Sequence, residues 1–220
     1  MSHMRAGAED RVMRDAVPDR VIGAALGCIG RWGVAKTTLD DVAREAGCSR
    51  ATLYRAFPGG KDVLLRAVAV REVSSLMDSV RARLDAADDL EDALVGAIAE
   101  AGRIVTGHAA LQFVLAYEPE VVLPELAFSG MDRALRAAGA LIGPHLTRWL
   151  GPDDADRAAQ WLCRLVVSYL TCPSPEVEVQ DEESVRRLVR RFVVPALTAG
   201  LDHSSSGGPG CRNEPVAAGR

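Results

Sequence analysis

The sequence is short of several things at once. Of its 26 basic residues only two are lysine, Lys36 and Lys61. Aromatic residues make up 5% of 220 positions, too few for the core of a β-sandwich or barrel. The five cysteines (Cys28, Cys48, Cys163, Cys172 and Cys211) are odd in number and lack C-x-x-C spacing. That argues against a zinc site and against a disulfide framework. No run of 18 apolar residues occurs, so no membrane span is expected. Met1-Ser2-His3-Met4 carries no apolar signal core, and the expected compartment is the cytoplasm. The histidines, His3, His108, His145 and His203, have no metal-ligand spacing, and neither G-x-S-x-G nor a phosphate loop is found. The acidic pairs Asp40-Asp41 and Asp153-Asp154 fall at helix starts, where the helix dipole accounts for them. No catalysis, no cofactor and no metal are expected.

What the chain does have is 48% apolar residues, dominated by alanine, leucine and valine, with 25% charged residues. That composition favours a helical globular protein. The net charge is −4, yet it is unevenly spread. Residues 1–66 hold 11 basic and 8 acidic side chains, whereas residues 67–220 hold 15 and 22. A basic first third beneath an acidic average points to a polyanionic partner for that part alone.

Periodicity predicts an all-α chain of about nine to ten helices, a three-helix N-terminal unit followed by a larger bundle. Residues 1–17 are read as a flexible start, 18–66 as the first domain, 67–202 as the second and 203–220 as a disordered tail. Val21, Ile22, Ala25, Leu26 and Ile29 recur at helical spacing until Gly33 closes the first helix. Thr38 is an N-cap with Asp41 three residues on, a partial capping box. Ser49 caps a third helix of about two turns, and a long helix starts near Lys61. Later helices are expected at about 89–106, 108–117, 129–149, 153–171 and 181–201, with a short helical piece between Pro119 and Phe128. Cys28 and Cys163 read as small core residues, a redox-sensing thiol being the alternative.

The informative stretch is Thr37 to Lys61, TTLDDVAREAGCSRATLYRAFPGGK. It encodes two short helices joined by Ala46-Gly47-Cys48-Ser49, the sharp turn of a helix-turn-helix. Val42, Ala43, Leu53 and Phe57 supply its core. The second helix then exposes Arg50, Ala51, Thr52, Tyr54 and Arg55, which suit phosphates and base edges in a DNA groove.

Trp32-Gly33, Thr37-Thr38, Val42-Ala43, Ala46-Gly47-Cys48-Ser49, Leu53-Tyr54, Phe57 and Lys61 together resemble the TetR family of bacterial one-component transcription regulators. The resemblance covers about residues 18–66. Cys48 stands where a valine is common, and Ala56 where an aromatic residue or histidine is common. It implies DNA contacts by Lys36, Thr37, Thr38, Ser49, Arg50, Ala51, Thr52, Tyr54, Arg55 and Lys61. Arg50, Ala51 and Thr52 would reach base edges, while Thr38, Tyr54 and Lys61 would bind phosphates.

For the second domain the resemblance implies a homodimer built on the last two main helices, with Leu162, Leu165, Val166, Tyr169, Val185, Leu188, Val189 and Phe192 as candidates. The other reading places those helices in the core of a single subunit. The resemblance also implies an effector pocket between the middle helices. Candidate contacts there are His108, Gln112, Phe113, Tyr117, Met131, His145, Trp149 and Trp161, and the effector is expected to be a largely apolar small molecule. Glu118 and Glu120 are read as surface charges, and Arg186, Arg187, Arg190 and Arg191 as a solvated face.

The leading expectation is therefore a ligand-responsive repressor that binds double-stranded operator DNA, palindromic, as a dimer. The alternatives are a sequence-tolerant DNA-binding or protein-interaction module without an effector, and an apolar-ligand carrier.

Overall fold

The computed structural model describes residues 2–126, 128–195 and 197, with side chains for 17–124, 130–195 and 197. The expected tail at 203–220, His203 and Cys211 lie outside the described residues, as do the last positions of the helix expected to reach 201. The described chain is helical throughout its regular structure: α1 (Ser2–Lys36), α2 (Leu39–Glu45), α3 (Arg50–Ala56), α4 (Lys61–Asp85) and α5 (Leu90–Gly107) come first. They are followed by α6 (Ala109–Tyr117), α7 (Pro119–Leu126), α8 (Phe128–Leu146), α9 (Pro152–Thr171) and α10 (Glu182–Leu188), which a π-helical turn (Val189–Val193) extends.

α1 starts at Ser2 and passes through Pro18, well before the Asp19 start that periodicity suggested. Its helical path is interrupted at Gly33, where φ is +82°. A side chain there would be strained by the backbone and would also collide with the Glu118 carboxylate, 2.5 Å from the Cβ position. The short helices of the first unit are held by their caps. The Thr38 hydroxyl accepts from the Asp41 N–H while the Asp41 carboxylate accepts from the Thr38 N–H, so aspartate completes the capping box. Ser49 Oγ accepts from the Thr52 N–H at 3.1 Å and starts α3. Val21, Cys28, Val42, Leu53, Phe57 and Leu64 are buried together and make one core of α1 to α4.

The second core is larger. α5 is buried continuously from Ala93 to Ala99, and α4, α9 and α10 close around it while α8 packs on α4 and α9. Val185, Val189 and Val193 follow one another in steps of four and are all buried. Steps of four overrun an α-helical turn of about 3.6 residues, and the wider π turn brings Val193 back to the core face. The sequence suggested one uniform helix across this region. A third, small cluster of Ile29, Ala110 and Val114 joins α1 to α6. No helix among the described residues is long and apolar enough to cross a membrane.

Candidate functional site

Two surfaces carry the sequence-predicted residues, and the first is the face of α2 and α3. Ser49, Arg50, Ala51, Tyr54 and Arg55 are exposed together along the cap and body of α3, with Thr38 exposed at the start of α2. Thr52 is half-buried, its hydroxyl 2.9 Å from Ser49 Oγ. Arg50 pairs with Asp40 at 3.1 Å and lies 5.7 Å from the centre of the Tyr54 ring. The Tyr54 hydroxyl, then the Asp40 charge, raise the guanidinium above its ordinary value, so it stays a cation. The pair is exposed, so its contribution to the stability of the fold is small. The Thr38 hydroxyl, then Arg44, hold the Asp41 carboxyl below its ordinary value, which keeps the cap charged.

Two of the residues assigned to DNA bond the protein's own backbone. Thr37 is buried, and its hydroxyl donates to the Gly33 carbonyl at 2.6 Å, closing the turn that leaves α1. The Lys61 ammonium donates to the carbonyls of Val34 at 2.6 Å and Ala35 at 3.4 Å. Its favourable partner is thus the carbonyl end of α1. Lys36 is exposed beside this turn.

Glu118, read as a surface charge from sequence, meets the same peptides from the other side. Its carboxylate accepts from the Val34 N–H at 2.5 Å and from the Ala35 N–H at 3.0 Å. The segment after Gly33 is therefore clasped between an acid at the α6–α7 junction and the cation that opens α4. Only a glycine at position 33 lets Glu118 come this close.

The second surface is a cavity of about 360 Å³ behind this clasp. Leu26, Ile29 and Val34 of α1 form one wall; α4, α5, α6 and α7 form the others. Val73 and Val121 line it while remaining exposed, so its mouth lies between α4 and α7. The volume falls within the range of roughly 300–1,000 Å³ usual for small-molecule sites. Among the lining side chains only Glu72 and His108 carry polar atoms, and these two are 3.1 Å apart.

Of the eight residues proposed from sequence as effector contacts, His108 is on this wall and the others are elsewhere. Gln112 donates to the Val105 carbonyl at 2.9 Å. Phe113 and Tyr117 stack on each other, 4.9 Å between centroids, and Tyr117 is exposed. Met131 is half-buried on α8. His145 pairs with Asp85 at 2.6 Å. Trp149 packs on the bundle core beneath Arg148, and Trp161 faces solvent on α9. Glu72 was missed, although it interrupts the apolar stripe Leu65, Val68, Leu76 on α4, and an acid within such a stripe is a legible signal.

The dimer candidates also divide. Leu162, Val185 and Val189 are buried within the single chain and have no surface left for a partner. Leu165, Val166, Tyr169 and Leu188 are half-buried, and Phe192 is 59% exposed. The arginine row is largely tied down. Arg186 bonds Glu91 at 2.8 Å and Asp92 at 2.7 Å, and Arg190 bonds Glu91 at 2.8 Å. Burial pushes the thiols of Cys28 and Cys163 above their ordinary value, leaving little reactive thiolate. No group of three or more potential metal ligands occurs among the described residues.

Comparison with known proteins gives this geometry its context. Residues 21–68 match the family model described as bacterial regulatory proteins, tetR family. The chain is 30% identical over 200 residues to the HTH-type transcriptional regulator AlkX of Mycobacterium tuberculosis, covering 85% of this chain and 88% of that one. It is 31% identical over 186 residues to the HTH-type transcriptional regulator BetI 2 of Chromohalobacter salexigens, covering 81% and 87%. In fold it is similar to the crystal structure of the TetR family repressor AlkX from Dietzia sp., implicated in biodegradation of n-alkanes, with TM-score 0.61, 22% identity and coverage of 82% and 97%. The fatty acid degradation regulator FadR of Bacillus halodurans has a TM-score of 0.56 at 19% identity, with coverage of 78% and 93%. With a capped helix-turn-helix, an all-helical second unit and relatives along most of its length, the chain belongs to the TetR family, and it is a transcriptional regulator whose DNA-binding unit is the helix-turn-helix of α2 and α3.

Proposed function

We propose that the protein represses transcription by holding a palindromic operator as a homodimer, and that a largely apolar small molecule releases it. The observation that carries this reading is the position of the cavity. One wall belongs to α1 of the DNA-binding unit, and the rest belongs to α4 and the helices behind it. An occupant therefore touches both units at once. Two similar folds carry names that concern aliphatic chains: one repressor implicated in n-alkane biodegradation and one regulator of fatty acid degradation. Aliphatic chains are the chemistry an apolar cavity accepts.

Release follows from the clasp. Val34 lines the cavity, and its peptide is gripped by Glu118 and Lys61. Filling the space between Val34 and α7 pushes Glu118 away from α1 and loosens the turn leading into α2. Movement of Lys61 then carries the start of α4 with it. A coupling of about 1–3 kcal/mol between the two sites suffices for a useful switch.

Dimerisation is supported by the apolar surface that α9 and the end of α10 leave uncovered, chiefly Trp161 at 42% exposure and Phe192 at 59%. A two-fold partner would set two α3 helices about one turn of DNA apart. Fluorescence anisotropy with DNA from upstream of the protein's own gene, against random DNA, tests the reading. Selective binding by a dimer in sedimentation is the expected result. Equal affinity for both DNAs would favour the sequence-tolerant module instead.

A further inference from the structure

We infer that the cavity is built for an aliphatic molecule whose polar end donates a hydrogen bond, an alcohol rather than a free carboxylate. The inference rests on the reading of this cavity as the effector site. Its basis is the hydrogen-bond inventory of the two polar side chains on the wall. His108 precedes α6, and its Nδ1 accepts from the Leu111 N–H at 3.1 Å. That lone pair is spent as the helix cap. A neutral ring with Nδ1 as acceptor carries its proton on Nε2. Nε2 points at Glu72 Oε2, 3.1 Å away, and donates there. His108 therefore keeps neither a free donor nor a free acceptor for a ligand.

The open capacity belongs to Glu72. Its carboxylate has about four lone-pair sites, which His108 only partly fills. Arg71 Nε approaches Oε1 at 3.4 Å, but the same guanidinium also donates to the Asp19 carbonyl at 3.1 Å and is not on the cavity wall. Among side chains, the wall thus offers acceptors and negative charge, and no unused donor. A hydroxyl satisfies this set by donating to Glu72. A carboxylate finds no donor among the lining side chains and meets the like charge of Glu72, which is half-buried at the wall. The aliphatic body then lies along Leu65 and Val105.

Calorimetric titration of the full chain with 1-octanol and with octanoate tests the assignment. The alcohol is expected to bind roughly tenfold more tightly or better, because only the alcohol can donate to the open acceptor sites of Glu72. Glu72→Gln supplies an amide donor and removes the charge, and it is expected to shrink that preference to about threefold or less. The wild-type ratio stands by itself if the variant melts early. Octanoate binding as tightly as octanol, or a preference unmoved in Glu72→Gln, overturns the head-group assignment and leaves the effector cavity standing. Binding of neither probe overturns the effector cavity as well.

Discussion

The DNA-binding unit and the bundle behind it bury their helices by different means. In α2 and α3, each of 7 residues, order comes from caps and from a few large side chains such as Leu53 and Phe57. Helices that short are unstable alone, so each cap and each anchor matters. The bundle relies on length and on small residues, with α5 buried along Ala93 to Ala99. Between the two units the packing thins to the small cluster of Ile29, Ala110 and Val114, and the cavity lies against it. The difference teaches where the molecule can respond: the junction of the two cores holds a cavity of about 360 Å³ with a polar clasp beside it.

The largest effect should come from the core of the small unit. Leu53→Ala removes a side chain with 0% exposure and is expected to cost about 2–5 kcal/mol. Leu65→Ala, at the edge of an existing hollow, is expected to cost less. Thermal melts of the two variants compare a packed site with an unpacked one, and equal losses would deny the contrast.

Gly33→Ala probes the clasp. A positive φ and a clash with Glu118 together predict a loss of about 1–3 kcal/mol, with weakened operator binding. Melting and DNA titration of the same sample check both. Arg50→Ala and Tyr54→Ala lie on the exposed face, so each is expected to weaken operator binding about tenfold while leaving the melting temperature nearly unchanged. A fall in stability without loss of binding would move these residues from the DNA face into the fold.

The smallest effect is electrostatic and belongs to the bundle. Arg190, then Arg186, hold the Glu91 carboxyl below its ordinary value. A carboxyl lowered by folding contributes stability above its unfolded value of about 4.3, and that contribution disappears as pH falls through the folded value. Melting temperature should therefore drop below about pH 4.3 in the wild type, and less steeply in Arg190→Ala. The group is near the surface, so the difference is modest.

Much of this architecture can be read from sequence because caps are local. Thr38, Asp41 and Ser49 announce helix starts wherever the rest of the chain lies, as observed, and Gly33 marks the break in α1, although α1 continues past it to Lys36. The cavity is hard to read for the opposite reason. Val105 on its wall and Val95 in the core are the same residue type on the same helix, and only the distance to other helices separates them. Aromatic and polar residues were favoured as contacts, yet Tyr117 and Trp161 are exposed and His145 pairs with Asp85, 60 residues away in sequence. Glu118 illustrates a longer-range gap. Its partners are 83 and 84 residues away in sequence, beyond any local pattern. The burial of Val185 and Val189 likewise depended on how α10 turns against α5.

The central claim is that cavity and DNA face are coupled, and reciprocity tests it most directly. Affinity for 1-octanol would be measured on the free protein and on the same protein saturated with operator DNA. The account predicts that DNA weakens ligand binding by about the factor, of order tenfold, by which ligand weakens DNA binding. A ligand affinity identical in the two states would contradict it.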